Sequence, residues 1–202
     1  MEKTSKTIRK LLLAILQQAE LWDKTCESCG SYVSSLANLA EQMACCERVD
    51  LEDNPINRSF PDIKRKLLQK LSLNANVVLQ QVQNSLDTLS ECRRRARFAA
   101  DAAKRTMQSV PIHDATSACA DKPSLSEIVL WMLDLSQTIS TQLAEKTLLY
   151  TNISLLPFAE DKSQTAHQNL QAFCEAWENH RPLKSDCDAI LAHCSFFLNT
   201  TT

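Results

Sequence analysis

Cysteine and histidine carry most of the latent chemistry in this chain. Cys26-Glu-Ser-Cys29-Gly30 has the C-x-x-C spacing of half a zinc ribbon or of a redox pair. A ribbon needs a second such pair, and sixteen residues beyond Cys29 stands only the adjacent Cys45-Cys46. Cys174, His180, Cys187, His193 and Cys194 are zinc-ligand types, but they lack the tight paired spacing of a knuckle. A nucleophilic cysteine needs a positioned histidine base. The four histidines (His113, His167, His180 and His193) are scattered, and no local signature joins one to a cysteine. Adjacent carboxylates such as Glu52 and Asp53 read as ordinary solvated residues. The residues therefore nominate no catalytic centre, no cofactor and no metal site.

Two basic clusters remain. One is Lys64-Arg65-Lys66 with Lys70, and the other is Arg93-Arg94-Arg95-Ala96-Arg97 with Lys104 and Arg105. Between Pro61 and Val110 ten Lys/Arg face four Asp/Glu, a local charge of +6, while the rest of the chain holds twelve against twenty, or −8. Such asymmetry suits an RNA surface or an acidic protein partner, and a solvated helix face paired with the acidic remainder suits it equally. No aromatic residues interleave with the arginines to stack bases; Phe98 stands alone.

The elements that must position these residues are helices. The chain of 202 residues contains a single glycine, Gly30, where ordinary usage of about 7% would give roughly fourteen. A phosphate-binding glycine loop or a Rossmann fingerprint is thereby excluded, and glycine-turned hairpins are disfavoured. Ile8, Ile15, Trp22, Cys29, Leu36 and Met43 recur at sevens, with Leu12, Ala19, Cys26, Val33 and Ala40 at the second core position. Such a register predicts one helix over about Thr7–Glu47, roughly 60 Å long, with both cysteines of the C-x-x-C on its seam. A free cysteine on a seam behaves as a small buried hydrophobe. Gly30 marks the place where a bend is expected.

Pro55 and Pro61 punctuate the corner after this helix, and the first helix must stop before Pro55. Pro61 and Asp62 suit the start of the next helix, and Phe60 just outside it suits a hydrophobic staple. A second helix is predicted over about Asp62–Ser109, with a seam through Leu68, Leu71, Ala75, Val78, Val82, Leu89, Cys92, Ala96, Ala99 and Ala103. Pro111–Pro123 reads as a linker. Ser124-Leu-Ser-Glu127 matches a capping box opening a third helix that ends near Pro157, followed by shorter helices near Gln164–Asn179 and Asp186–Leu198. The expected fold is all-α. Residues 1–110 form a long antiparallel coiled-coil-like hairpin, residues 111–123 a linker, and residues 124–202 a C-terminal set of about three helices packing on the hairpin or on a partner.

The formal net charge is −2 and the apolar fraction 44%. The N-terminal run Leu11–Leu16 is only six residues, short of the roughly 7–15 of a secretory signal, and no stretch nears the roughly 18 of a membrane span. An intracellular protein with mostly reduced cysteines is expected.

The corner Leu51–Leu67 (LEDNPINRSFPDIKRKL), preceded by Val33–Gln42, resembles a family of small helical ribosome-maturation factors that bind type II AAA-family unfoldases, the AIRIM family. The likeness continues in Ser124–Leu135 and in Cys194–Leu198, in the same order along nearly the whole chain. Around Asn76–Asp121 it extends only to helical character. In the family pattern a cysteine fits at Cys29 but not at Cys26.

The resemblance implies a non-catalytic adaptor subunit of an AAA ATPase complex. Its implied partners are an AAA-family ATPase hexamer, a second small helical subunit and the pre-60S ribosomal particle. The implied work is late maturation of the large subunit, with release and recycling of a placeholder factor, in nucleus and cytoplasm. A link to chromatin and replication protein turnover comes with it. The docking candidates it implies are Phe60, Asp62, Lys64 and Arg65 at the corner, with Trp131 in the third helix. Arg93, Arg94 and Arg95 are the contact candidates of the alternative, an RNA-binding helical protein that uses the basic second helix.

Overall fold

The computed structural model describes residues 2–50, 55–117, 123–154, 163–178 and 183–199. Among them every regular element is an α-helix: α1 Glu2–Arg48, α2 Pro55–Ser59, α3 Ile63–Gln108, α4 Ile112–Thr116, α5 Leu125–Ser154, α6 Ser163–Glu178 and α7 Leu183–Asn199. None of the described helices is long and apolar enough to cross a membrane.

The heptad register explains which side of α1 leaves water. Ile8, Ile15, Trp22, Cys29, Leu36 and Met43 are all buried, as are Leu12, Ala19, Val33 and Ala40. Cys26 is the exception: it sits half-buried at the edge of the seam. The hydrogen-bonded helix runs through Gly30 without interruption. A methyl group added at Gly30 would meet nothing within 4 Å. On α3 the buried stripe adds Leu79 and Leu86 to the expected seam, while Leu68 and Val78 are half-buried.

Both proline-bounded breaks hold one turn of helix that proline and polar composition alone do not announce. In α2, Pro55 occupies the first position, where its missing N–H is not needed. The turn closes with Phe60 N–H donating to the Ile56 carbonyl at 2.8 Å. In α4, the Asp114 and Ala115 N–H groups both donate to the Pro111 carbonyl at 3.0 Å. α7 departs from helical geometry at Cys187 (φ −124°, ψ 16°), so one turn from Leu183 precedes the segment expected from Asp186.

The chain gathers into two compact units, each assembled from separate stretches of sequence. The first contains residues 1–26, 87–145 and 181–202. Its buried side chains include Ile8, Leu12, Ile15 and Trp22 of α1, the alanines 96, 99, 100 and 103 of α3, Ile128, Met132, Leu135 and Ile139 of α5, and Leu183 of α7. Alanines on one helix let a neighbour approach closely, and bulky residues on the others fill the space. α5 in this unit opens with the anticipated capping box. Ser124 N–H donates to Glu127 Oε2 at 2.7 Å, and Glu127 N–H donates to Ser124 Oγ at 3.2 Å. The Ser124 N–H first, and then its hydroxyl, which donates to the same Glu127 Oε2 at 2.8 Å, hold the Glu127 carboxyl below its ordinary 4.5.

The second unit contains residues 27–86 and 146–180. Its core draws Val33, Leu36 and Met43 from α1, Leu71, Leu79 and Val82 from α3, Ile153 from α5, and Leu170, Phe173 and Trp177 from α6. A lysine lies in it: Lys146 is only 4% exposed, with its ammonium 4.3 Å from the Trp177 ring centroid. The electron-rich ring face offsets part of the cost of taking the charge out of water. The corner is closed by a second lysine. Lys64 Nζ donates to the carbonyls of Glu47 at 2.8 Å and Val49 at 2.9 Å, fixing the first turn of α3 against the end of α1. Those carbonyls belong to the negative end of a helix dipole, where a cation is favoured.

Three expected outcomes follow from this architecture. Gly30→Ala raises stability by up to about 1 kcal/mol in urea denaturation, because the helix gains propensity and no neighbour is displaced; a loss would show that the site is not open. Lys64→Ala releases two carbonyls at the end of α1 and lowers stability by about 1–2 kcal/mol, with faster amide exchange around residues 44–50. Ser124→Ala lowers stability by about 1 kcal/mol at neutral pH. Because the folded Glu127 pKa is depressed, the cap's contribution is present above pH 4.5 and is lost as pH falls through the folded value. The gap between wild type and Ser124→Ala therefore narrows in acid denaturation curves.

Candidate functional site

In the second unit the corner presents a short exposed ledge. Phe60 is 61% exposed, so it staples nothing. Its carbonyl instead accepts the Ile63 N–H at 3.1 Å, and the Asp62 carbonyl accepts the Lys66 N–H at 2.9 Å, so Asp62 is where α3 begins. Asp62 and Arg65 are both exposed and paired, Arg65 Nη2 to Asp62 Oδ2 at 3.4 Å. Lys64 differs from its neighbours: its ammonium is already committed to the end of α1. Around the ledge the apolar residues Val49, Ile56 and Leu67 are also more than 40% exposed. Phe60, Asp62 and Arg65 thus share one accessible corner, and Lys64 is the fastener beneath it.

A cleft of about 780 Å³ lies in the same unit, lined by residues from Ala37 to Arg48 of α1 and by His167, Gln168 and Gln171 of α6. At its wall His167 Nδ1 stands 3.1 Å from Glu47 Oε2, with both side chains largely shielded from water. No signal in the sequence joins two residues so far apart. Their meeting depends on α6 packing against α1, a tertiary event that a scan for local motifs cannot register.

The first unit holds the other candidates. Arg94 and Arg95 are exposed, but both converge on Glu91: Arg94 donates through Nε and Nη2 at 2.7 Å each, and Arg95 through Nε at 2.7 Å. These bonds, Arg94's first, push the Glu91 carboxyl down to about 2, so it remains an anion that answers the arginines at any physiological pH. Arg97 reaches Asp101 at 3.8 Å. Arg93 lies half-buried, with its Nε shielded. The basic run is therefore partly neutralised along its own helix. Trp131 is half-buried, its ring stacked on the exposed His193 imidazole of α7 at 5.3 Å and 18°. It stands at the unit's surface and not in its core.

The cysteines fall mostly inside. Burial raises the Cys29 thiol, against the opposing pull of the Ser85 hydrogen bond and the Lys146 charge. Burial also raises Cys92 and Cys46, and pushes Cys194 up to about 11. Cys174 is pushed up to about 12, by burial first and then by Glu178 and Glu175, and its Sγ donates to the Val33 carbonyl at 3.3 Å. Thiols held so high are neutral at physiological pH and poor as nucleophiles or metal ligands. Among the described residues no three His, Cys, Asp or Glu side chains converge as a metal site would need. His180, Cys119 and the Glu52–Asp53 pair lie outside the described residues, as do the side chains of Ala166, Phe197 and Leu198.

Residues 2–196 match the family described as Ribosome biogenesis protein C1orf109-like. Similar proteins include the AFG2-interacting ribosome maturation factor of Homo sapiens, 26% identical over 205 residues that cover 96% of this chain and 94% of that protein. Its namesake in Xenopus tropicalis is 26% identical over 84% of this chain and 88% of its own length. The Danio rerio protein of that name is 23% identical over 96% and 94%. The match takes in both units and all seven described helices nearly to their last residue, so the chain belongs to the C1orf109-like family of ribosome biogenesis proteins.

Proposed function

We propose that this protein is a non-catalytic adaptor in ribosome maturation that links an AAA-family ATPase hexamer, of the kind its relatives are named for, to its pre-60S client. A second small helical subunit shares the complex. The mechanical work, extraction of a placeholder factor late in large-subunit maturation so that it recycles, belongs to the ATPase. The protein acts in nucleus and cytoplasm. The observation that carries this reading is the full-length match to relatives named as AFG2-interacting ribosome maturation factors. The chemistry of the chain is in keeping with it: one glycine leaves no nucleotide-binding loop, and the buried thiols sit far above neutral pH.

The docking contact is assigned to the corner. Phe60 offers an aromatic anchor beside an exposed Asp62–Arg65 pair, the combination of apolar centre and charged rim by which compact interfaces are recognised. Trp131 with His193 offers a second contact on the other unit. The test is affinity purification of the tagged full chain from its native cells at physiological salt with ATP present. A near-stoichiometric AAA ATPase is expected. Phe60→Ala with Arg65→Glu should lower its recovery by at least tenfold, or about 1.4 kcal/mol, without shifting the melting temperature. Absence of the ATPase, with RNA or nothing recovered in its place, would overturn the assignment.

A further inference from the structure

Within the second unit α3 carries two stripes. One is the buried seam through Leu71, Ala75, Leu79 and Val82. The other runs along the opposite side: Lys66, Leu73 and Gln80 at one heptad position, and Lys70, Val77 and Asn84 at the position four residues on, all six exposed. Leu73 is 59% and Val77 63% exposed, one turn apart. Single exposed hydrophobes are ordinary on any protein surface. These two share the a/d spacing by which one helix receives another. From Lys66 to Asn84 the stripe extends about 27 Å, nearly three heptads.

Charge says what covers it. Between Pro55 and Gln80 five basic residues face one acid, Asp62. Lys64 is bound to carbonyls and Arg65 to Asp62. Lys66 and Lys70, the two lysines on the stripe, meet no carboxylate among the described residues. A second copy of the same stripe would not answer them either: a parallel pairing sets lysine against lysine, and an antiparallel one sets lysine against Gln80 and Asn84. A helix from another protein, apolar at its centre and acidic at the end that lies beside Lys66 and Lys70, answers both the apolar and the charged residues.

We infer that the outward stripe Lys66–Asn84 of α3 is a docking seam for one acidic amphipathic helix of a partner protein. It is separate from the Phe60 corner and does not depend on the adaptor reading.

The test places p-benzoylphenylalanine at Val77 in the tagged full chain, and at the exposed Gln137 of α5 as a control. Cells are irradiated and the captured peptide is sequenced by mass spectrometry. The expected capture, at Val77 only, is a segment of another protein with heptad-spaced apolar residues and net negative charge. Lys66→Glu with Lys70→Glu should cut it at least tenfold, as should Leu73→Glu with Val77→Glu when the complex is assayed by co-purification, with melting temperature unchanged in both. Capture of a second copy of this chain, of RNA, of a basic or non-helical segment, or of nothing above the Gln137 control overturns the inference. If the AAA ATPase co-purifies while Val77 captures nothing, the seam fails and the adaptor stands. Capture of an acidic helix without any ATPase gives the reverse.

Discussion

Exclusion of water from every seventh residue of α1 is the constraint on which the rest of this molecule depends. Isolated helices are marginal in water, and a 47-residue one with ordinary propensity gains its persistence from burial. Each Ile, Leu or Trp taken from water along that seam contributes about 1.5–3 kcal/mol against the entropy of fixing the chain. The seam serves both units, with Ile8, Leu12, Ile15, Ala19 and Trp22 before Cys26 and Cys29, Val33, Leu36, Ala40 and Met43 after it. α3 answers with alanines in the first unit and leucines in the second. Complementary size and shared apolarity account for the buried interior of the described residues.

Upon that apolar base a few polar groups fix particular relations. Lys64 ties the start of one long helix to the end of another, Ser124 and Glu127 set where α5 begins, and Lys146 lies buried against Trp177. Each is local, and each would be costly to leave half-made. Charges elsewhere are handled along the surface of single helices, as where Glu91 serves two arginines. Such exposed pairs add little stability individually, but they reduce the field that a bare arginine run would project.

Periodicity made most of the architecture readable in advance. The spacing of Ile8 to Met43 implied the buried side of α1 residue by residue, missing only the partial exposure of Cys26. Proline positions and the S-x-x-E pattern placed the helix ends within a few residues. What stayed hidden depended on partners distant in sequence. A lysine reads as a surface residue, so neither the burial of Lys146 nor the carbonyl bonds of Lys64 could be anticipated. Phe60 beside a helix start invited a staple because local chemistry cannot say whether the first turns have room for it. The cleft wall of His167 and Glu47 needs two helices 120 residues apart and had no local signature at all.

The uneven burial of the thiols has a practical side. Cys29, Cys92, Cys174, Cys187 and Cys194 are enclosed, whereas Cys45 is exposed near the end of α1, with the Arg48 guanidinium 3.4 Å from its sulfur. An exposed thiol is the one that a maleimide reaches first. The molecule thus carries a built-in attachment point within a few residues of the carbonyls that Lys64 grips. A dye or spin label on Cys45 would sit beside the Phe60 corner without any engineered residue, and could report what arrives there.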